Sequence, residues 1–228
     1  MLTSTVAILH DNAAHGEDNY LVRDLGDNIL LDAVMDGVTR RRGGQASQWL
    51  VDALAAAPLT SADDVIAVLQ DVNQQLYQIG RGRFLLTTVA VTLCLDGTLY
   101  VVGVGDSPVF LIRSDACQQL SSRVGGVFIG AGRPLVNLYR AEMTIEPGDR
   151  VVLATDGVTD NVPSYELVEI VRSAASPAAA VARLSTIMTT RRAGGRLSEP
   201  SGGGFRDDDW TAIIRFFGAA GEPARSIQ

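Results

Sequence analysis

The sequence predicts an α+β fold in which antiparallel sheets carry helices on their outer faces. Two observations lead to this class. Strand patterns occur near the start, in the middle and at the end of the chain, and pairs of helical patterns separate them. The dipeptide Asp96-Gly97 joins two apolar runs, which is the strongest short signal for an antiparallel hairpin. With 228 residues and 46% hydrophobic content, the chain can bury a sizeable core.

The first half of the chain alternates between strand and helix patterns. The segment 61–79 is predicted to be a helix because Ser61 and Asp64 form a capping box, and apolar residues then recur at three- and four-residue steps. The segment 45–57 before it has no helix breaker until Pro58. Strands are predicted at 3–10, 28–35, 85–95 and 98–105.

The second half of the chain is predicted to contain two more helices over roughly 164–192, since Pro163-Ser164 and Ser176-Pro177 are typical helix starts. The segment 193–204 is rich in Gly, Ser and Pro, so we predict a mobile loop there. We expect a single domain at 1–217 and a flexible tail at 218–228. Further strands are predicted at 108–113, 146–155 and 210–217.

The composition excludes several kinds of site. All 19 basic residues are Arg, so a P-loop lysine or a Schiff-base lysine is excluded. The chain has only two His, and Cys94 and Cys117 match no paired metal-ligand spacing. The sequence therefore gives little support to a zinc hydrolase or a Cys-His nucleophile. Most of the remaining candidate groups are carboxylates.

Charge and hydropathy predict where the protein acts. The net charge of −7 argues against a nucleic-acid partner. No apolar run reaches the roughly 18 uncharged residues that a membrane span needs, and the first residues do not resemble an export signal. We therefore expect a cytoplasmic protein that binds neither nucleic acid nor a membrane, and we favour a monomer.

Acidic residues lie at the ends of five separate strand patterns. An Asp followed by Gly is by itself typical of an ordinary turn. If the strand ends meet at one edge of the core, however, the carboxylates repel one another unless cations neutralise them. Oxygen ligands without Cys or His select hard ions, so we predict Mg²⁺ or Mn²⁺. The acids are Glu17, Asp18, Asp36, Asp106, Asp156, Asp207, Asp208 and Asp209.

Asp36-Gly37 and Asp156-Gly157 each end an apolar run. A Gly in this position lets a backbone carbonyl approach an ion without a side chain in the way. Two ions roughly 3.5–4 Å apart can bind a phosphate and lower the pKa of a shared water, so that hydroxide attacks phosphorus in line. The residue types therefore indicate a metal site with Asp36 as a bridging ligand, and they suggest phosphoryl hydrolysis.

The order of six segments, from GEDNY at 16–20 to RDDDWTAII at 206–214, resembles the signature segments of the metal-dependent, type 2C (PPM) serine/threonine protein phosphatases. The resemblance covers about residues 5–217 and is greatest to the compact bacterial members. It implies a four-layer αββα sandwich, with two central antiparallel sheets flanked by helices and a metal cluster at one edge. The other segments are 33–47, 85–93, 102–112 and 148–160.

The resemblance implies specific roles for these acids. One metal would be bound by Glu17, Asp36 and the carbonyl of Gly37, and the second by Asp36, Asp156 and Asp208. Asp36 and Asp156 would be the catalytic pair, because both hold the ions that activate the attacking water.

Three further acids are given outer or optional roles by the resemblance. Asp106 would hold a third, weaker ion together with Asp156, although a hairpin turn explains Asp106 nearly as well. Asp18 would lie in the outer shell, as would Asp209, which stands where the family usually has Asn.

Two positions depart from the family pattern. Ala13 stands where the family commonly has a phosphate-binding Arg, four residues before the metal-binding Glu. Val38 stands where some relatives place a His as a general acid, so protonation of the leaving group falls to His15 or to a metal-bound water. Three adjacent Arg are also typical of a solvated loop. The candidates for the missing phosphate contact are His15, Arg40, Arg41 and Arg42.

We therefore predict a Mg²⁺- or Mn²⁺-dependent enzyme that hydrolyses phosphoserine or phosphothreonine in a phosphorylated protein substrate. Two ions are expected, and a third if Asp106 binds one. The alternative is a catalytically weak or inactive phosphatase-fold module that binds a phosphoprotein or a signalling partner, and Ala13 is its main support. A third hypothesis is hydrolysis of a small phosphorylated metabolite or nucleotide, since metals recognise phosphate and not its bearer.

Overall fold

The computed structural model describes residues 2–26, 28–121, 125–135, 137–194 and 204–219. Within them, no helix is long and apolar enough to cross a membrane. The strands are β1 (Leu2–Asp11), β2 (Asn19–Asp24), β3 (Leu30–Met35), β4 (Val89–Leu95), β5 (Thr98–Val104), β6 (Val109–Ile112), β7 (Cys117–Gln119), β8 (Tyr139–Thr144), β9 (Arg150–Ala154) and β10 (Trp210–Ala219). The helices are α1 (Gly43–Ala56), α2 (Ala62–Gly80), α3 (Asp156–Thr159), α4 (Ser164–Ser173) and α5 (Pro177–Gly194).

The strands form two five-stranded sheets in which every named pair is antiparallel. The first sheet has the order β1-β10-β9-β6-β7, and the second has the order β2-β3-β4-β5-β8. Helices α1 and α2 pack on the second sheet, and α4 and α5 pack on the first. The predicted four-layer αββα sandwich is therefore confirmed.

The alternation of side chains along the strands builds the layers of the core. In β3, Leu31, Ala33 and Met35 belong to the cluster under α1 and α2, whereas Val34 faces the other sheet. The other sheet follows the same rule, because Ile214 of β10 packs towards α4 and α5 while Ile213 faces inwards. Each sheet is thus apolar on both faces, which explains the near-continuous apolar runs in the sequence.

Local signals in the sequence fix the helix and hairpin boundaries. The Ser61 side chain accepts a hydrogen bond of 3.2 Å from the backbone N–H of Asp64, which confirms the predicted N-cap. The Asp64 carboxylate in turn accepts a hydrogen bond from the N–H of Thr60 at 2.9 Å.

The hairpin between β4 and β5 turns at Asp96 and Gly97. These residues have φ angles of 47° and 82°, and the strands pair directly on either side of them. The predicted hairpin is confirmed, because both residues adopt the left-handed backbone that a tight turn requires.

Three strands and one helix were missed by the sequence analysis. Strands β2, β7 and β8 lie at sheet edges and have mixed exposure, so none of them carries an apolar run. Helix α3 is a single turn. The strand predicted from residue 85 begins only at Val89, because Leu85 has a φ of 60° and Thr87 makes isolated bridges to Gly37 and Ile129.

The structure also changes the predicted end of the chain. Strand β10 extends through Ala219, where Gly218 and Ala219 pair with Thr3 and Leu2, so these two residues are not part of a flexible tail. Helix α5 continues to Gly194, two residues into the predicted loop. The rest of the predicted tail, 220–228, and loop residues 195–203 lie outside the described residues.

A buried ion pair joins the two sheets. Arg215 of β10 donates to both carboxylate oxygens of Asp32 on β3, at 2.6 and 2.7 Å, and to the hydroxyl of Ser4 at 2.8 Å. Asp32 and Arg215 are 2% and 5% exposed. Because a buried charge without its partner is costly, this pair favours one alignment of the two sheets.

Candidate active site

The predicted acids come together at one edge of the sandwich. Asp36 follows the last residue of β3, and Asp156 begins α3 just after β9. Glu17 precedes the start of β2, and Asp208 precedes the start of β10. In an antiparallel sheet the end of one strand lies beside the start of its neighbour, so these positions reach the same edge from both sheets.

Asp36 and Asp156 lie close enough for their charges to interact. Burial raises the pKa of Asp36 well above its usual range, and the charges of Asp156, Asp18, Asp208 and Asp106 raise it further. Burial and neighbouring carboxylates raise the pKa of Asp156 to about 6, while the nearby Asp36 side chain opposes this shift. Carboxyl groups whose pKa values are raised in this way take up protons more readily where a cation would otherwise bind.

Asp18 lies behind this pair and links the two sheets. It is 2% exposed, and its Oδ2 accepts hydrogen bonds from the hydroxyls of Thr155 at 2.8 Å and Thr211 at 2.7 Å. Burial raises its pKa to about 7, against the lowering effect of the two hydroxyls. The Thr211 hydroxyl also contacts His10 Nδ1 at 3.0 Å. These bonds fix the orientation of the Asp18 carboxyl.

Asp209 organises the loop that carries Glu17. Its carboxylate accepts hydrogen bonds from the backbone N–H groups of Ala14, His15 and Glu17 at 3.1, 2.9 and 2.7 Å. Burial would raise the pKa of Asp209, but these backbone donors lower it overall. Asp209 therefore stays ionised and holds the loop against the start of β10.

Asp208 forms a hydrogen-bonded pair with His15. His15 Nδ1 lies 3.0 Å from Asp208 Oδ1, which also accepts the N–H of Asp209 at 2.9 Å. The hydrogen bond with Asp208 raises the pKa of His15. The imidazole ring is 35% exposed and lies at the open side of the cluster.

Glu17 and Gly37 meet where the first metal is predicted. Glu17 Oε2 is buried and has no hydrogen-bond partner among the described residues. The glycine at 37 is required by packing, because a Cβ there would lie 2.4 Å from the carbonyl carbon of Gly43 and 2.7 Å from the carbonyl oxygen of Glu17. The Ser47 hydroxyl donates to that same Glu17 carbonyl at 2.6 Å. Close backbone packing, and not only access to an ion, thus explains the Asp-Gly motif.

The donor set fits a hard divalent cation. It consists of carboxylates that raise one another's pKa, together with the unpaired Glu17 oxygen, which a cation would satisfy. In the part of the chain that is described, no group of three or more His, Cys, Asp and Glu side chains is arranged to hold an ion as it stands. A bound ion would take the place of the protons that the raised pKa values favour on Asp36 and Asp156.

The resemblance to the type 2C phosphatases also implies a variable flap at about 121–140, and the described part of this flap reaches the site through Thr87 and Asp106. Thr87 bridges to Ile129 of the flap, and its hydroxyl donates to the Asp36 carbonyl at 2.8 Å. A Cβ on Gly125 would lie 2.7 Å from Asp106 Oδ2, so the described part of the flap packs directly over Asp106. Asp106 therefore lies between the flap and the coupled acids.

The three adjacent arginines have different surroundings. Arg41 donates to the Arg83 carbonyl at 3.0 Å, and Arg42 lies over the Phe84 ring at 5.8 Å. Arg40 is exposed, with a φ of 62°, and its side chain bonds to none of the described residues. Arg40 is thus the arginine of this loop that can turn towards a phosphate.

Asn161 is a positioning residue that the sequence analysis missed. Its fully buried side chain donates to the carbonyls of Gly157 and Arg206, both at 2.9 Å, and accepts the N–H of Arg206 at 2.9 Å. It thereby ties the turn that carries Asp156 to the segment that leads to Asp208. Asn161 lies two residues beyond the end of α3, next to Asp160, and nothing local in the sequence marks it.

We expect Asn161→Ala to weaken Mn²⁺ binding about tenfold, because second-shell contacts orient metal ligands. The free energy of unfolding should fall by about 2 kcal/mol, since two carbonyls and one N–H lose a buried partner. Asn73→Ala is the matched control, because Asn73 is also buried and bonds Gly130 and Gly132 at 2.8 and 3.0 Å. Calorimetric titration with Mn²⁺ and denaturant unfolding compare the two. Equal loss of Mn²⁺ affinity in both variants would contradict the positioning role.

Comparison with known proteins agrees with this architecture. The curated serine/threonine phosphatase stp of Listeria innocua is 24% identical over 197 residues, covering 70% of this chain and 78% of the relative. The structure of PppA, a key regulatory component of T6SS in Pseudomonas aeruginosa, superposes with a TM-score of 0.76 at 21% identity, covering 94% of this chain and 97% of that one. The catalytic domain of the phosphatase PstP, solved with two manganese ions, gives 0.73 at 21% identity, covering 96% and 100%.

The match to a protein family covers most of the site, and Glu17 lies before it. The sequence model for Stage II sporulation protein E (SpoIIE) matches residues 35–215, from the last residue of β3 to the middle of β10. This range includes Asp36, Asp106, Asp156 and Asp208, and it is well over half of the chain. The chain therefore belongs to the SpoIIE family, among the bacterial metal-dependent PPM (type 2C) phosphatases.

Proposed function

We propose that this protein is a Mg²⁺- or Mn²⁺-dependent phosphatase that hydrolyses phosphoserine and phosphothreonine in proteins. The observation that carries the proposal is the cluster of acids in which Asp36 and Asp156 have raised pKa values and the buried Glu17 Oε2 has no hydrogen-bond partner among the described residues, a cost that a cation would remove. Further support comes from the family and from the names of the Listeria and PstP relatives.

Each residue would contribute through position and charge. Glu17, Asp36 and the Gly37 carbonyl would hold one ion, and Asp36, Asp156 and Asp208 the second. Bound ions would neutralise phosphoryl oxygens and lower the pKa of water at the site. Asp106 would hold a third ion under the flap.

The outer residues would keep these ligands in place. Asp18 is fixed by Thr155 and Thr211, so it can accept a proton from water at the centre without turning away. Asp209 holds the Glu17 loop through three backbone N–H groups. His15, whose pKa is raised by Asp208, would donate a proton to the departing serine or threonine oxygen.

We expect Arg40→Ala to raise KM for a phosphothreonine peptide about tenfold and to leave kcat nearly unchanged, because a guanidinium–phosphate contact mainly holds the ground state. Arg183→Ala is the control, since Arg183 bonds Ser173 on the far side of the first sheet. Steady-state kinetics on both variants measure the effect. An unchanged KM in Arg40→Ala would leave the phosphate contact to another residue.

The proposed function is tested by phosphate release from a phosphothreonine peptide and from a small aryl phosphate. Turnover of the peptide is expected with Mn²⁺ or Mg²⁺ and not with a chelator. Turnover of the aryl phosphate alone would favour a small phosphorylated metabolite as substrate. If neither substrate showed metal-dependent turnover, the proposed enzymatic activity would be refuted. That result would favour a module that binds a phosphoprotein, for which Ala13 is the supporting feature.

The proposal also includes the oligomeric state, the location and the partners of the protein. We propose that it acts as a monomer in the cytoplasm on a phosphorylated protein and does not bind nucleic acid, in line with its net charge of −7. Gel filtration coupled to light scattering tests the monomer directly.

A further inference from the structure

A groove lies beside the candidate active site, between the loop 12–19 and the exposed face of α1. Its volume is about 700 Å³, and we call it the α1 groove. Gly16, in its wall, directly precedes the predicted metal ligand Glu17. A group bound in the α1 groove would therefore lie next to a substrate at the metal site. The polar and aromatic side chains that line it include Asn12, Asn19, Gln48, Trp49 and Asp52.

One N–H of each side-chain amide on the loop side of the α1 groove is already used within the protein. Asn12 Nδ2 donates to the Asp18 carbonyl at 2.7 Å. Asn19 Nδ2 donates to the Ser47 hydroxyl at 2.9 Å. Each amide thus keeps one N–H and its oxygen, which accepts two hydrogen bonds, for a ligand on this side.

The helix side also uses donors within the protein. Gln48 Nε2 donates to Asp52 Oδ1 at 2.9 Å, and the indole N–H of Trp49 donates to Gln75 Oε1 at 3.1 Å. What remains on this side is the charge and second carboxylate oxygen of Asp52, the carbonyl oxygen and one N–H of Gln48, and the half-buried Trp49 ring.

The side chains of the α1 groove thus offer acceptors that lack a donor. Asn12 Oδ1 is buried without a hydrogen-bond partner among the described residues, and an unpaired buried acceptor costs about 1–3 kcal/mol. Asp52 adds a negative charge. A ligand that matches this surface carries several N–H donors, a positive charge and an apolar stem that can lie against an indole ring. An arginine side chain has all three properties.

We propose that the α1 groove binds an arginine side chain of a phosphoprotein substrate, close in sequence to the phosphorylated residue. This inference rests on the proposed function and deepens it, because it names a feature of the substrate beyond the phosphate. The groove would select substrates through Asp52, Asn12 and Trp49, while the metal site would recognise the phosphate.

The test uses phosphothreonine peptides in which each position within four residues of the phosphothreonine is in turn Arg, Gln or Glu. At one of these positions, Gln in place of Arg should raise KM about 5- to 10-fold and leave kcat unchanged, and Glu should raise KM further. Asp52→Asn should reduce the Arg preference to less than about twofold. Asp115→Asn, on the exposed turn between β6 and β7, should keep both the preference and the turnover of an aryl phosphate.

The same peptides are also titrated by fluorescence anisotropy in the presence of a chelator, which measures binding without turnover. An equal Kd for Arg and Gln peptides at every position, or an Arg preference that persists in Asp52→Asn, would overturn the inference. Tighter binding of Glu peptides would overturn it as well. If the wild-type protein with Mn²⁺ turned over neither the phosphothreonine peptides nor the aryl phosphate, the proposed function would be refuted, but the anisotropy measurement would still test peptide binding in the α1 groove.

Discussion

Asp36→Asn should lower kcat for phosphopeptide hydrolysis at least about 10³-fold and at the same time stabilise the metal-free protein. The loss of activity is expected because Asp36 is the predicted ligand of both ions, and metal stabilisation of the transition state is worth several kcal/mol. The gain in stability is expected because Asn needs no proton to stay neutral, whereas folding raises the pKa of Asp36 through burial and the charges of Asp156, Asp18, Asp208 and Asp106. Phosphate release with Mn²⁺ and denaturant unfolding with a chelator measure the two effects.

A matched control separates the site from a general effect of removing a carboxylate. Asp63→Asn changes an Asp on α2 whose side chain is 79% exposed and pairs with Arg140 on the surface. It should leave kcat unchanged and shift the free energy of unfolding by less than about 0.5 kcal/mol. If Asp36→Asn retained metal-dependent activity, the predicted ligands would be wrong. If it destabilised the metal-free protein, the repulsion inferred from the raised pKa would be wrong.

The metal-free protein should lose stability as the pH rises from about 4 to about 7. Asp18 and Asp156 have folded-state pKa values of about 7 and about 6, and the pKa of Asp36 is also well raised. In the unfolded chain an Asp titrates near 3.9. An acid whose pKa is raised by folding contributes stability when it is protonated, below the unfolded pKa. That contribution is lost as pH rises through the folded pKa, on the order of 4 kcal/mol for these coupled groups.

Divalent cations should reverse this dependence. Ions bind the deprotonated carboxylates, so at pH 7 a concentration of Mn²⁺ about 1,000 times its Kd should add about 4 kcal/mol to the free energy of unfolding. At pH 4 the same addition should have little effect, because protons occupy the ligands. Unfolding by urea at several pH values, with Mn²⁺ and with a chelator, measures both curves. Two parallel curves between pH 4 and 7 would contradict proton–metal competition at this site.

Individual strands and helices could be predicted from the sequence wherever adjacent elements of the fold bury them, and these elements were enough to predict the fold class. The run that became β3 is apolar on both faces because helices cover one face and the second sheet the other. The same reasoning failed for β2, β7 and β8, since an edge strand with an exposed face needs no apolar pattern. Helix α3 was missed because a single turn is too short to show a period of 3.6 residues.

The acids of the site could be predicted for a different reason. A carboxylate at the end of an apolar strand stands out against its surroundings, and Asp36 and Asp156 were found in this way. Asn161 was not found, because an amide that bonds backbone groups 45 residues away leaves no local signal. The roles of Asp18 and Asp209 likewise follow from the Thr and N–H donors that surround them.

The sequence by itself determined which charged residues can lie at the site and which strand ends place them there. It could do so because strand burial and turn chemistry are local properties. Only the tertiary structure decided how those charges interact. It placed Asp36 and Asp156 close enough for their charges to interact, and it brought His15 to within 3.0 Å of Asp208. Arg41 and Arg42 contact Arg83 and Phe84, whereas the Arg40 side chain bonds to none of the described residues. These contacts join residues far apart in the chain, and their energies depend on burial and distance, which are fixed only when the two sheets pack together.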